Sequence, residues 1–235
     1  MKKLLISVGA QGTGNHIFAR CFSMHSDVLG WEELKDHYFI KHARDIFVEN
    51  WIYPQLMEKS YFNDYDYISV NTSFPVNFEG VRYNPKVIEV ARRAAEWGID
   101  VRIAVITRDY GITQFQQQRT REGETANEFI KYVKEILLPS EFPVHFINLE
   151  AFFIYKKDYL KNISKMIDFP IDTSHPDILK FIKESPNEKY LKYVDDYWLD
   201  EVNRQGTTES QWSDPATVIE STNVNTTVIS EKKDD

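Results

Sequence analysis

Apolar and polar positions along the chain form blocks that predict strands and helices in turn. A short apolar run, Leu4 to Val8, precedes a glycine-rich turn, and helical spacing begins again between Ile17 and Phe22. An amphipathic helix pattern from Pro85 to Gly98 is followed by the near-continuous apolar run Val101 to Ile106. Since helix followed by buried strand is the crossover unit of parallel sheets, these patterns predict an α/β fold with a central, mainly parallel sheet flanked by helices.

Other segments continue the alternation. Further strands are predicted from Asp66 to Val70 and from Val144 to Leu149, and further helices over Glu122–Leu138, Tyr155–Ile167 and, as one or two helices broken near Pro54, Leu34–Ser60. A polar loop is expected from Asn71 to Gly80. Because loops at the carboxyl ends of parallel strands line the ligand crevice, Asn71, Thr72 and Ser73 are either ligand contacts or scaffold.

The composition changes close to residue 205. Residues 1–205 are predicted to form one α/β domain. Beyond Arg204 the chain is rich in Gln, Thr, Ser, Asn and Asp, and residues 206–235 hold six acidic residues against two lysines. Such a composition buries little apolar surface, so a polar, flexible C-terminal tail is predicted for residues 206–235.

The charge balance limits the partners. Lys and Arg number 28 against 36 Asp and Glu, which gives a net charge of −8 at pH 7 and a pI near 5.3. A nucleic-acid partner held by general electrostatics is therefore not expected, and an anionic ligand must be met by local groups. The apolar run after Met1 is too short for a signal peptide, and no window is long enough to span a membrane. We therefore predict a cytoplasmic protein with no membrane partner; no pattern indicates its oligomeric state.

The glycine-rich turn carries the first candidate chemistry. Gly9 and Gly14 have the spacing of the two glycines in GxxxxGK[ST], but Asn15 and His16 replace the lysine and the hydroxyl residue. Without them, the loop lacks the usual charge for the β- and γ-phosphates and the usual magnesium ligand, which disfavours hydrolysis of a nucleoside triphosphate. The turn is predicted to hold a phosphate without a metal; the alternative is an ordinary strand-to-helix turn.

The segment Val8 to Arg20 resembles the 5′-phosphosulfate loop of sulfotransferases, VGxPRSGTTLLAR, and His25 to Glu33 resembles the HPDVxxxxE segment that follows it. The resemblance implies a P-loop NTPase-like three-layer fold and a loop that holds the 5′ end of 3′-phosphoadenosine 5′-phosphosulfate, with no metal. The loop residues implied are Gly9, Gln11, Gly12, Thr13, Gly14, Asn15 and His16. The loop's usual basic residue falls on Gly12, and His16 is the nearest replacement.

An arginine at the end of a predicted central strand is the second candidate. Arg108 follows the apolar run, where its forked donors suit a phosphate. The segment resembles the family's 3′-phosphate motif, RDPxxxxxSxxxR: Arg108 and Asp109 match, Gln116 occupies the serine position and Thr113 is an alternative hydroxyl. In the alternative hypothesis, Arg108 caps neighbouring carbonyls or pairs with Asp109.

A third segment resembles the family in packing positions. Residues 146–153, 160–166 and 168–172 follow the pattern YEDLxxxPxxxLxxIxxFLGxP. These positions are structural and say nothing about the acceptor.

The resemblance implies sulfuryl transfer to a hydroxyl or amine on a small-molecule, glycan or peptide acceptor. Glu33 would then be the general base, while loop amides and His16 would stabilise the leaving phosphate. Alternatively, Glu33 is a solvated residue in an acidic turn. Two other classes stay open: a nucleotide-binding module without chemistry, and a Rossmann-type oxidoreductase that uses Glu32 or Glu33 for the ribose.

Overall fold

The structure of the chain is a computed structural model that describes residues 1–30, 47–120 and 125–181, all within one compact unit, Met1–Ser185. The strands are β1 (Lys3–Ala10), β2 (Val28–Leu29), β3 (Tyr67–Phe74), β4 (Val76–Phe78), β5 (Val81–Tyr83), β6 (Asp100–Thr107) and β7 (Val144–Asn148). The helices are α1 (Asn15–Ser23), α2 (Val87–Glu96), α3 (Tyr110–Thr120), α4 (Ala126–Tyr132), α5 (Leu149–Ile167) and α6 (Pro176–Phe181). Two 3-10 turns, Pro54–Leu56 and Lys59–Phe62, precede β3, and a π turn, Val133–Leu137, continues α4.

Five strands form one parallel sheet in the order β2-β3-β1-β6-β7. The central strand β1 pairs with β3 from Lys3↔Tyr67 to Ala10↔Phe74, and with β6 from Lys3↔Asp100 to Gly9↔Ile106. Strands β4 and β5 form a separate antiparallel hairpin. The chain thus winds from β1 to one side of the sheet and then to the other, so its direction reverses at β1.

The sheet lies between two helical layers. On one face, Leu4, Ile6 and Val8 of β1 pack with the apolar side of α2 and with α4. On the other face, Leu5 packs with residues of α1, α5 and α6. Successive strand residues point to opposite faces, so β1 is buried on both sides, and each fully buried aliphatic side chain contributes about 1.5–3 kcal/mol.

The predicted α/β class is confirmed: the sheet is parallel and helices flank it. The helix predicted over Pro85–Gly98 is observed as α2, and the strand predicted over Val101–Ile106 is observed as β6, one residue longer at each end. The predicted tail, 206–235, lies outside the described residues. Among those described, no helix is both long and apolar enough to cross a membrane.

The prediction of a loop from Asn71 to Gly80 is wrong. β3 continues to Phe74, a cis peptide bond joins Phe74 to Pro75, and the β4–β5 hairpin follows. The polar residues Asn71, Thr72 and Ser73 are buried strand residues. Their polarity indicated a loop, but a buried polar group is tolerated wherever hydrogen-bond partners exist, and Ser73 accepts a hydrogen bond from Asn15 at 3.1 Å.

Two helix predictions also need correction. The described part of Leu34–Ser60, from Phe47 onward, contains turns and a 3-10 turn at Pro54–Leu56 rather than an α-helix, because proline removes a backbone donor and limits the preceding residue. The helix predicted from Tyr155 begins earlier, at Leu149, where the Asn148 side chain accepts the amide of Ala151.

Removal of the Phe152 ring tests the second core layer. Phe152 is fully buried on α5, and its ring lies 5.4 Å from that of Phe18. Because a cavity remains, Phe152→Ala is expected to lower the free energy of unfolding by about 3–5 kcal/mol in urea titrations. Ile154→Ala on the same helix is the control, since Ile154 is 68% exposed, and it should change stability by less than about 0.5 kcal/mol. Equal effects would contradict the packing.

Candidate functional site

The candidate site lies at the carboxyl end of β1, where the loop from Ala10 to Gly14 leads into α1. In an open parallel sheet, ligands bind outside the carboxyl ends of the strands, at the point where the winding direction reverses. Here that point is the end of β1, which is flanked by the ends of β3 and β6. The topology thus brings the glycine-rich turn and Arg108, which were separate sequence predictions, to one crevice.

The loop depends on close approach at Gly9. A Cβ atom at this position would lie 2.3 Å from Asn15 Oδ1, 2.4 Å from Thr13 Oγ1 and 2.9 Å from the Ile106 carbonyl oxygen. Gly12 and Gly14 have φ of 95° and 97°, in the left-handed region that favours glycine. The glycines are therefore required by the loop's own packing, whether or not it holds a ligand.

Two polar side chains hold the loop closed. Thr13 Oγ1 donates to the Ala10 carbonyl at 2.8 Å, and Asn15 Nδ2 donates to the Gly9 carbonyl at 2.9 Å and to Ser73 Oγ at 3.1 Å. Both side chains are buried. Both side chains therefore serve the loop itself, and the Thr13 amide also donates to the Ala10 carbonyl, at 3.2 Å, so Asn15 has only its backbone amide to offer a ligand.

The loop also presents backbone donors. Within the described residues, no hydrogen bond occupies the amides of Gly12, Gly14 and Asn15. The first turn of α1 contains no acidic residue, and its N-cap, Gly14, makes no side-chain hydrogen bond. The partial positive charge at this end of α1 is therefore not offset by a carboxylate of its own first turn, which favours an anion there.

Arg108 reaches the loop from the end of β6. Its Nη1 donates to the Gly12 carbonyl at 2.8 Å and to Gln116 Oε1 at 2.6 Å. Asp109, the alternative partner suggested by sequence, accepts the amide of Ile112 at 2.8 Å and so caps α3. Arg108 does cap a carbonyl, as the alternative hypothesis required, but that carbonyl belongs to the candidate phosphate loop.

The other predicted donors are engaged elsewhere. Thr113 is buried, and its hydroxyl donates to the Asp109 carbonyl at 2.8 Å. Gln11 Nε2 donates to the Pro75 carbonyl at 3.3 Å. The Thr113 hydroxyl could donate to a ligand only if its bond broke, whereas Gln11 keeps a second Nε2 hydrogen.

Sequence reasoning missed Gln117. It is 1% exposed; its Nε2 donates to the Gln11 carbonyl at 2.7 Å, and its Oε1 accepts the Thr125 amide at 2.8 Å. This one amide joins α3, the loop and the start of α4. The sequence did carry a signal: the helix contains a run of glutamines and has no apolar stripe. Such a helix must be held in place by polar groups.

The remaining candidates are only partly described. His16 lies half-buried in the first turn of α1. Glu33, the predicted general base, and Glu32 lie outside the described residues. Within the described ranges, no group of three or more His, Cys, Asp or Glu residues could hold a metal ion. Burial raises the pKa of Cys21 on α1 to about 12, so this thiol stays protonated at neutral pH.

No protein-family model matches the chain, and no curated protein matches it in sequence. The functional assignment therefore depends on the residues and the geometry of the site.

An added methyl group at Gly9 tests the closed loop. Gly9→Ala places a Cβ against Asn15, Thr13 and the backbone of β6, so we expect a loss of about 1–3 kcal/mol in unfolding free energy. Gly111→Ala is the matched control: its Cβ would meet only Asp109 Oδ1 at 3.4 Å, and a helical alanine is favoured over glycine. The loop geometry would be wrong if urea titrations found both variants as stable as the parent.

Proposed function

We propose that the chain binds 3′-phosphoadenosine 5′-phosphosulfate in this crevice and transfers its sulfuryl group to a hydroxyl or amine acceptor. The observation that carries the proposal is the convergence of the glycine-rich loop with Arg108, whose Nη1 lies 2.8 Å from the Gly12 carbonyl oxygen. The two segments that resemble the family's phosphate-binding motifs are 96 residues apart in sequence and meet at one end of the sheet.

The loop fits a phosphate that needs no metal. Its free amides and the N-terminus of α1 favour an anion, while the position of a P-loop lysine is taken by Asn15, a neutral side chain turned toward Gly9 and Ser73. Such a loop lacks the point charge used in nucleoside triphosphate hydrolysis. This combination supports a phosphosulfate donor over a magnesium–nucleotide complex.

The second phosphate of the donor needs its own partner, and Arg108 suits it. A guanidinium carries five N–H donors in a planar fork that matches the geometry of a phosphate, and its bonds to Gly12 and Gln116 place it beside the loop. Arg108 is partly buried, so a charge-assisted bond there is less screened than at the open surface.

The backbone of α5 supports the resemblance in the third segment. When the pattern YEDLxxxPxxxLxxIxxFLGxP is laid on the chain, its glycine falls on Asp168. Helix α5 ends at Asp168 in the left-handed region, with φ 49°, the conformation that a glycine at a helix end usually adopts. Leu160 and Ile163, at the aliphatic positions of the pattern, are buried.

In this proposal, the donor supplies an activated sulfuryl group. The chain binds and orients the donor and stabilises the charge that develops during transfer. The loop amides hold the 5′ end, and His16 in the first turn of α1 stabilises the leaving phosphate. Glu33, by resemblance, removes the acceptor proton. The acceptor class, whether a small molecule, glycan or peptide, stays open.

A nucleotide-binding module without chemistry is the second candidate. It is favoured by one observation: residues 9–16 contain neither lysine nor arginine, so the loop has no cation of its own at Gly12. Binding of the donor product without turnover would distinguish it from a transferase.

Nucleotide binding without added magnesium tests the donor. Adenosine 3′,5′-bisphosphate is expected to bind far more tightly than 5′-AMP, because it offers two phosphate ends. Arg108→Ala should weaken the bisphosphate by about 1.5–3 kcal/mol in titration calorimetry, the usual loss for a charge-assisted bond. Arg92→Ala removes an exposed arginine paired with Glu141 and should leave affinity unchanged. Equal affinity for the two nucleotides would contradict the donor assignment.

Turnover tests the general base. Glu33→Gln keeps the shape of the side chain but removes the proton acceptor, so turnover should fall by about 10²–10⁴ with donor affinity nearly unchanged. Glu32→Gln is the neighbouring control and should retain most activity. The assay uses a radiolabelled sulfuryl donor and a phenol as surrogate acceptor. Tight donor binding with no transfer to a broad acceptor panel would favour the binding module.

A further inference from the structure

We propose that Arg108 supplies the positive charge of the phosphate loop itself, acting on the 5′-phosphate end of the ligand, and that Gln116 is the positioning residue that holds it there. This inference rests on the proposed function, since it concerns the same nucleotide site. It assigns Arg108 a contact with the 5′ end in addition to the 3′-phosphate, and it gives Gln116 a role through Arg108 rather than through the ligand.

The position of the guanidinium carries the first step. Residues 9–16 contain no lysine or arginine, so the loop's own side chains bring no permanent charge to an anion. Arg108 Nη1 lies 2.8 Å from the carbonyl oxygen of Gly12, in the middle of the loop. The amides of Gly12 and Gly14 belong to the same short turn, so an anion bound to them lies close to this guanidinium.

Gln116 occupies the space that a side chain at residue 12 would need. A Cβ on Gly12 would lie 3.2 Å from both Cδ and Oε1 of Gln116, and the φ of 95° at Gly12 already disfavours a side chain. A side chain at this position would have to displace Gln116 by a few tenths of an ångström and adopt a strained backbone, so the loop disfavours a cation of its own here. The positive charge comes instead from Arg108, which follows β6 and is hydrogen-bonded to the side chain of Gln116.

The chemistry of Gln116 suits a positioning role. Its Oε1 accepts from Arg108 Nη1 at 2.6 Å, so it orients the guanidinium, yet its carboxamide is neutral and leaves the charge intact. A carboxylate at the same place would orient the guanidinium equally well but would neutralise it. The next residue, Gln117, is buried and bonded to the Gln11 carbonyl and the Thr125 amide, which fixes α3 against the loop.

Titration calorimetry with 5′-AMP and with adenosine 3′,5′-bisphosphate, on the full chain without magnesium, tests the inference. 5′-AMP has no 3′-phosphate, so it reports on the 5′ end alone. Arg108→Ala is expected to lower the affinity for 5′-AMP about 10- to 100-fold, and the affinity for the bisphosphate by at least as much. Gln116→Glu is expected to weaken 5′-AMP about 10-fold or more while the melting temperature stays unchanged or rises, because the new carboxylate pairs with Arg108.

Two controls separate positioning from general damage. Gln55→Glu makes the same charge change at an exposed glutamine and should leave 5′-AMP affinity unchanged. The salt dependence of 5′-AMP binding should be flatter in Gln116→Glu than in the parent, because the charge that attracts the anion is neutralised; a merely structural role would not change this slope. Gln116→Met keeps the length without the acceptor and should weaken 5′-AMP less than Gln116→Glu does.

Failure of the inference and failure of the proposed function give different results. If Arg108→Ala or Gln116→Glu weakens only the bisphosphate and leaves 5′-AMP affinity unchanged, Arg108 serves the 3′-phosphate alone, and the inference is overturned while the proposed function stands. If the parent chain binds neither nucleotide, the proposed function is overturned and the inference with it.

Discussion

The hydrogen bond from Asn15 Nδ2 to the Gly9 carbonyl, 2.9 Å long, is the interaction on which the site depends. It joins the first residue of α1 to the carboxyl end of β1, so it fixes where the helix begins relative to the central strand. The close approach excludes any side chain at residue 9. Because Asn15 uses its side chain inward, its amide and those of Gly12 and Gly14 remain for a ligand.

The side chain of Asn15 also ties β3 to the loop. Asn15 Nδ2 also donates to Ser73 Oγ, so the neighbouring strand is tied to the loop by a polar contact in a buried place. The backbone then continues the connection, since the Gln11 amide donates to the Phe74 carbonyl at 3.3 Å. Loop, α1 and β3 thus form one hydrogen-bonded unit, and a change at any of the three is expected to alter the others.

The local parts of this arrangement were predictable from the sequence, and the long-range parts were not. The strand, glycine turn and helix around Gly9 and Gly14 follow from spacing, and the buried strand before Arg108 follows from its apolar run. Strand β3 was predicted too short because Ser73 is polar, and its partner is 58 residues away in sequence. Gln117 was missed for the same reason, since a buried amide is tolerated only with a set of hydrogen-bond partners, and only the fold brings those partners together.

The neutral character of the loop's supports has a physical consequence. Thr13, Asn15, Gln116 and Gln117 all bond through uncharged groups, so they shape the crevice without adding or cancelling charge. The chain as a whole is acidic, with a net charge of −8, and its general field repels an anion. In the proposed site, attraction comes from short-range terms, the amides at the start of α1 and the guanidinium of Arg108, which act over a few ångströms. Under the proposed function, such a site would recognise the position of a phosphate more than its total charge, which suits a ligand with two separate phosphate ends.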